Sequence, residues 1–133
     1  MLTGGCHCGA IRYEVRAQPV HRTICHCEMC RGTTGAPCVA WFTVPVDAFH
    51  LSGSPTLYRS SAHGTRAFCP ACGTQITFAD DALPDEIDVS TCSLAQPAAA
   101  APTSHIFTAS QVPWMQLADG LPRFPRSRSE AEK

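Results

Sequence analysis

The sequence predicts a small all-β domain, and three observations carry that prediction. Only 16% of the residues are charged, while eleven prolines and nine glycines punctuate the 133 residues. Such a composition favours turns and short strands over long solvent-facing helices. Apolar and polar residues alternate over several short stretches, the spacing of half-buried strands. The cysteines, finally, gather in tight groups, as in a chain stapled by metal where the core is modest.

Each element follows in order. Gly4-Gly5-Cys6-His7-Cys8-Gly9 reads as a sharp turn that lets two thiols face one ion. Ala10 to Arg16 alternates as a strand closed by Pro19, and His21 to Ile24 leads as a short strand into Cys25-His26-Cys27-Glu28-Met29-Cys30. Glu28 to Arg31 reads as one helical turn, stopped by Gly32 and Gly35. Pro37 to Val44, with Trp41 and Phe42, is apolar enough for a buried strand. Phe49 to Leu51 and Thr56 to Ser60 are short strands around the turn at Gly53-Ser54-Pro55. Thr65 to Phe68 runs into Cys69-Pro70-Ala71-Cys72-Gly73, a zinc-knuckle turn, and Gln75 to Phe78 continues as a strand. Glu86 to Ser90 is a strand with Ile87 and Val89 on one face. Pro97 to Pro102 reads as an exposed loop, His105 to Phe107 as a short strand, and Val112 to Phe124 as an irregular packed segment. The expected organisation is a single zinc-binding domain over residues 1–125 and a polar, disordered tail over residues 126–133.

The bulk properties exclude several classes. A formal net charge of −1, with no dense basic run before Arg123, Arg126 and Arg128, argues against a nucleic-acid partner. No apolar run approaches the roughly 20 residues of a membrane span. Met1 to Cys6 lacks the basic start and apolar stretch of a secretory signal, so the expected location is the cytoplasm. There, nine cysteines do not make a disulfide framework, because that compartment keeps thiols reduced and an odd number cannot close.

Seven of the nine instead group as Cys6/Cys8, Cys25/Cys27/Cys30 and Cys69/Cys72. Cys38 and Cys92 stand alone and read as small buried hydrophobes. The spacing favours a partition into four and three. Cys6, Cys8, Cys69 and Cys72 complete one tetrahedral, structural zinc site; Cys25, Cys27 and Cys30 make a three-thiolate site of the catalytic kind. A rival partition gives the central group a fourth ligand from His26, His105, Cys38 or Cys92. Thiolate-rich zinc is a weak Lewis acid toward water, which argues against hydrolase chemistry; it suits the binding of an incoming thiol as its nucleophilic thiolate.

The sequence resembles the glutathione-dependent formaldehyde-activating enzymes, the family related to the centromere protein V group. The resemblance runs through Gly4 to Gly9 with Ile11-Arg12-Tyr13-Glu14, Cys25-His26-Cys27 with Cys30-Arg31, and Gly53 with Tyr58 to Ser61. It continues through Arg66 to Cys69 with Cys72-Gly73-Thr74, His105-Ile106 with Pro113-Trp114, and Asp119 to Pro122. It implies a β-tent type fold with two zinc ions and the same division of ligands. One departure stands out: Cys92-Ser93-Leu94-Ala95 replaces a Gly-x-Leu-Asp pattern frequent in the family, which bears on substrate choice.

The resemblance implies a carbon–sulfur lyase that adds glutathione to formaldehyde, giving S-hydroxymethylglutathione. Two carboxylates on glutathione call for a cationic grip, for which Arg31, Arg59 and Arg66 are candidates, with His26 or His105 assisting. A surface arginine or a packing histidine is the plainer account of each. The competing function is non-catalytic: a zinc-stapled module that carries a thiol or docks on another protein.

Overall fold

The structure, a computed structural model, describes residues 1–132. The described residues form a mainly β fold of ten strands and one α-helix, in two sheets. Strands β1 (Leu2–Gly5), β2 (Arg12–Val15) and β5 (Phe49–Ser52) make a small antiparallel sheet in the order β1-β2-β5. The larger sheet runs β10-β3-β4-β9-β8-β7-β6. Its members are β3 (Val20–Cys25), β4 (Val39–Pro45), β6 (Thr56–Arg59), β7 (Gly64–Phe68), β8 (Gln75–Asp80), β9 (Glu86–Ser90) and β10 (Ser104–Ile106). All neighbours are antiparallel except β10, which lies parallel to β3.

The central strand β4 explains why the large sheet works on both faces. Residues two apart share a face of a strand. Phe42 and Val44, both fully buried, join Ile76 and Val89 and pack against Val15, Ile11 and Tyr13 from the small sheet. Trp41 turns the other way, into a second cluster with Cys25, Cys30 and Ile106. One core therefore holds the two sheets together, and the opposite face of the large sheet supports the central cysteines. β4 is buried on both sides, which is why it reads as a continuous apolar run.

Three local structures differ from the sequence expectation, each for a physical reason. The helix α1 (Glu28–Thr34) passes through Gly32 and ends only at Gly35, whose φ of 71° caps it and whose N–H donates to the Arg31 carbonyl. A mid-helix glycine costs about 1 kcal/mol relative to alanine. Here the Cys27 sulfur caps the N-terminus, and the Thr33 and Thr34 hydroxyls bond back to the Met29 and Cys30 carbonyls. Leu2–Gly5 is a strand, not only the approach to a turn. Gly4 is needed there for close contact: a Cβ would lie 2.4 Å from the Tyr13 hydroxyl and 2.5 Å from the Ser93 carbonyl oxygen. Pro97–Ala100 winds into a 3-10 turn with Ala100 fully buried, so the alanine run is partly packed.

Residues 126–130, read in the sequence as tail, lie along the body. The Phe107 N–H donates to the Arg126 carbonyl, and Arg128 reaches Thr43 and Glu86. Among the described residues no helix is long and apolar enough to cross a membrane.

Because β4 is buried on both faces, truncating Phe42 leaves a cavity that the strand cannot collapse into. Phe42→Ala is expected to cost roughly 3–5 kcal/mol of stability, read by urea unfolding of the metal-loaded protein. A loss below about 1 kcal/mol would contradict this packing of the two sheets.

Candidate metal centres

Two groups of thiols converge, one at the junction of the sheets and one on the outer face of the large sheet. Cys6, Cys8, Cys69 and Cys72 bring their sulfurs within 4.8 Å of one another, and so do Cys25, Cys27 and Cys30.

The first group is built from two tight turns. The Cys6 N–H donates to the Ile11 carbonyl, the Gly9 N–H to the Cys6 carbonyl, and Gly9 sits at φ 87°. In the knuckle the Cys69 N–H donates to the Thr74 carbonyl, the Gly73 N–H to the Cys69 carbonyl, and Gly73 sits at φ 81°. The His7 N–H donates to the Thr74 hydroxyl and draws the turns together. The resulting sulfur separations are 3.6 Å for Cys6–Cys8 and 3.7 Å for Cys8–Cys69. A tetrahedron with metal–sulfur bonds of about 2.3 Å has edges of about 3.8 Å, which these two separations match. The Thr74 hydroxyl and N–H hold the Cys72 thiol down at about 5, in the thiolate range that a metal requires.

The second group lies where β3 gives way to α1. Cys25 is the last residue of β3, held between Val39 of β4 and Ile106 of β10. Cys27 is the N-cap of α1, and its sulfur accepts the Cys30 N–H at 3.3 Å. Capping therefore sets two of the three sulfurs on one side of the first helical turn. The Cys25 and Cys30 thiols hydrogen-bond to Cys27 and hold it down at about 2, while the same hydrogen bonds push Cys25 up. One thiolate shared by two thiol donors is what a soft cation would replace. Among the described residues this group stops at three ligand atoms.

The rival fourth ligands are accounted for. His26 and His105 are both fully buried, and Nε2 of His26 lies 2.9 Å from Nδ1 of His105. Nε2 of His105 lies 2.8 Å from Asp119. The Leu121 N–H holds the Asp119 carboxyl low, with His105 adding to it. The carboxylate accepts from His105, so His105 accepts from His26, and Nδ1 of His26 keeps a lone pair with no partner. Burial, more than the neighbouring His105, depresses His26. The His26 backbone N–H donates to the Ile106 carbonyl and fixes this residue against β10. Cys38 is half-buried and Cys92 exposed, and neither belongs to a converging group.

A cavity of about 390 Å³ opens in front of the central thiols. One row of cross-strand neighbours supplies much of its wall: Arg66 pairs with Phe78, Phe78 with Asp88, and Asp88 with Thr43. Trp41, Ile106 and Phe107 make it apolar near the sulfurs; Asp80, Glu86, Asp88 and Arg128 charge its far end. Of the five candidate substrate residues, Arg66 lines this cavity and the other four do not. Arg59 is exposed and bound to Asp81, the Ala62 carbonyl and Thr65; Arg31 lies within α1, its carbonyl accepting the Gly35 N–H. Asp119, Trp41, Phe78 and Arg128 were not singled out from the sequence. Alternation along β4 and β8 is the signal that marks Trp41 and Phe78, since each shares a strand with the opposite-facing core. Asp119 stands in the family-like stretch Asp119 to Pro122, which gave it no role, and Arg128 has no local signal.

Comparison with known proteins agrees with this geometry. Residues 1–110 match the family described as glutathione-dependent formaldehyde-activating enzyme, GFA. An uncharacterized lyase of Schizosaccharomyces pombe is 32% identical over 84 residues, covering 57% of this chain and 56% of that protein. A Halomonas elongata protein named "Putative glutathione-dependent formaldehyde-activating enzyme" is 30% identical over 95 residues, 64% of this chain and 60% of that one. The matches thus span little more than half the length of these curated relatives. A Rhodobacter sphaeroides protein of known crystal structure shares the fold at TM-score 0.58 and 22% identity, over 92% of this chain and 98% of that chain. The match spans both thiol groups, and this chain belongs to the glutathione-dependent formaldehyde-activating enzyme family.

Proposed function

We propose that the protein is a carbon–sulfur lyase that joins a thiol, glutathione, to formaldehyde or a related small aldehyde at the central cysteine group. One observation carries this reading: three converging thiols, with no fourth protein donor among the described residues, form the end of a cavity of about 390 Å³. That volume lies in the range of small-molecule sites.

Zinc is the ion the donor set suits, with Cys6, Cys8, Cys69 and Cys72 holding a structural ion and Cys25, Cys27 and Cys30 a second. When bound at the central group, zinc supplies an acceptor that favours the thiolate form of an incoming thiol. The chain's own residues do the rest. Trp41, Phe78, Ile106 and Phe107 keep water from the reacting sulfur and hold the small aldehyde beside it. The carbon–sulfur bond forms as the carbonyl electron pair moves onto oxygen, and that oxygen takes up the proton the thiol lost. The addition is easy chemistry, so positioning and thiolate formation are all the protein must supply. Charges of both signs at the far end, Asp80 and Glu86 with Arg128, suit the zwitterionic γ-glutamyl head of glutathione.

The two groups should respond differently to loss of a ligand. The four-thiol group joins positions 61 residues apart, and a cross-link closing such a loop removes about 4 kcal/mol of unfolded-chain entropy. The central three lie within six residues and close no long loop. Elemental analysis is expected to find two zinc ions per chain. Cys27→Ser should lose one and keep a cooperative thermal transition, whereas Cys72→Ser should lose the folded state. Equal instability of both variants would make the central ion structural too.

Exchange between free formaldehyde and S-hydroxymethylglutathione can be followed by NMR exchange spectroscopy. Wild-type protein should accelerate it well above the uncatalysed rate, and Cys27→Ser should not. An unchanged rate with zinc-loaded wild type would leave a thiol carrier, not an enzyme.

A further inference from the structure

Arg66 is the most unusual charge in the molecule. It sits mid-strand on β7, only 2% exposed, where a guanidinium cannot be solvated. Burying an unpaired cation costs several kcal/mol, so such a group has a counter-charge. Among the described residues no carboxylate pairs with it. Asp88 bonds to Thr43, Glu86 to Arg128, and Asp80 to the Ala82 N–H. Its actual neighbours are few. Nε donates to the Ser60 hydroxyl at 3.2 Å and Nη2 to the Cys30 sulfur at 3.6 Å. Its carbon centre lies 4.9 Å from the Phe78 ring and 6.0 Å from Trp41. Nη1 has no hydrogen-bond partner.

We infer that Arg66 is the built-in counter-charge of the central thiolates, setting how readily that centre accepts a further anionic ligand. The inference rests on reading the central group as the thiol-binding centre. Three thiolates on a dication carry one net negative charge, and a single guanidinium at hydrogen-bond distance from one sulfur cancels it. An arriving thiolate then meets a neutral assembly instead of an anionic one, inside an apolar wall where repulsion is poorly screened. Arg66 is thereby removed from the role of carboxylate grip. It acts through Cys30 and is a positioning residue. The aromatic rings of Phe78 and Trp41 hold the cation without neutralising it.

The test uses the protein loaded with Co2+, whose visible spectrum changes when a ligand joins the central ion. Three probes are titrated: glutathione, azide as a small anion, and imidazole as a neutral ligand. Arg66→Met is expected to weaken azide and glutathione by roughly tenfold and leave imidazole within about twofold. Arg66→Lys, which restores the charge, should recover most of the loss. The bands of the four-thiol ion report in each variant that the fold persists. Equal weakening of azide and imidazole, or no weakening of azide, would overturn the inference. If wild type binds azide but not glutathione, the thiol reading of the site fails, and the azide-to-imidazole ratio still decides the role of Arg66. If Arg66→Met does not fold, the comparison passes to Arg66→Gln against Arg66→Lys with the same probes and the same expected difference.

Discussion

Convergence of four sulfurs from two distant turns is the constraint on which the molecule depends. The small sheet touches the large one through a modest apolar core, and its first strand has two glycines and no large buried side chain of its own. Local propensity would not hold such a strand. Cys6 and Cys8 follow it directly, and their meeting with Cys69 and Cys72 fixes the end of β1 against the end of β7. Once that corner is set, β7 and β8 leave it in a defined register. That register puts Arg66 beside Phe78 and carries the row on to Asp88 and Thr43. Cys6, Cys8, Cys69 and Cys72 therefore position the cavity without lining it.

The same sheet carries structure on one face and chemistry on the other, through the two-residue period of its strands. Ile76, Phe42 and Val89 face the core, while Phe78, Trp41 and Asp88 face the cavity or its edge. A shift of register by one residue would exchange the two sets. The bulge between Val20 and Thr23 in β3, where His21 takes a φ of 47°, shifts the register of β3 on β4 before the pairs Thr23–Trp41, Ile24–Ala40 and Cys25–Val39. The position of Cys25 is thus set by strand pairing on both sides, with Val39 of β4 and Ile106 of β10, and not by the short loop that follows it.

Much of this was legible in the sequence because the informative interactions are local. Cysteines two and three residues apart cannot avoid one another, so both thiol groups could be assigned from spacing, and alternation identified most strands. The α-helix was read too short because Gly32 outweighed a cap formed by a thiol, and cysteine is not among the usual N-cap residues. Leu2–Gly5 went unread as a strand because its glycines serve contact with Tyr13, a partner set by the fold. The long-range parts were not legible. Nothing near Arg66 in the sequence says that it is buried beside Cys30, and nothing near Asp119 says that it ends a chain of two histidines.

With a dication in each group, as proposed, charge accounts for the places the two thiol groups occupy. Four thiolates on a dication would carry two net negative charges, three would carry one. The four-thiol group keeps Cys8 and Cys72 exposed, so water can screen its larger charge. The three-thiol group is buried at Cys25 and Cys30 and has a guanidinium against it. Exchanging the two would bury a doubly negative centre beside a single cation, at a desolvation cost of several kcal/mol. The arrangement that is cheapest electrostatically is also the one that keeps a nearly neutral, sulfur-rich centre facing an apolar pocket. Loaded as proposed, such a centre would favour a soft anionic visitor over water, and so a thiol reaction over hydrolysis.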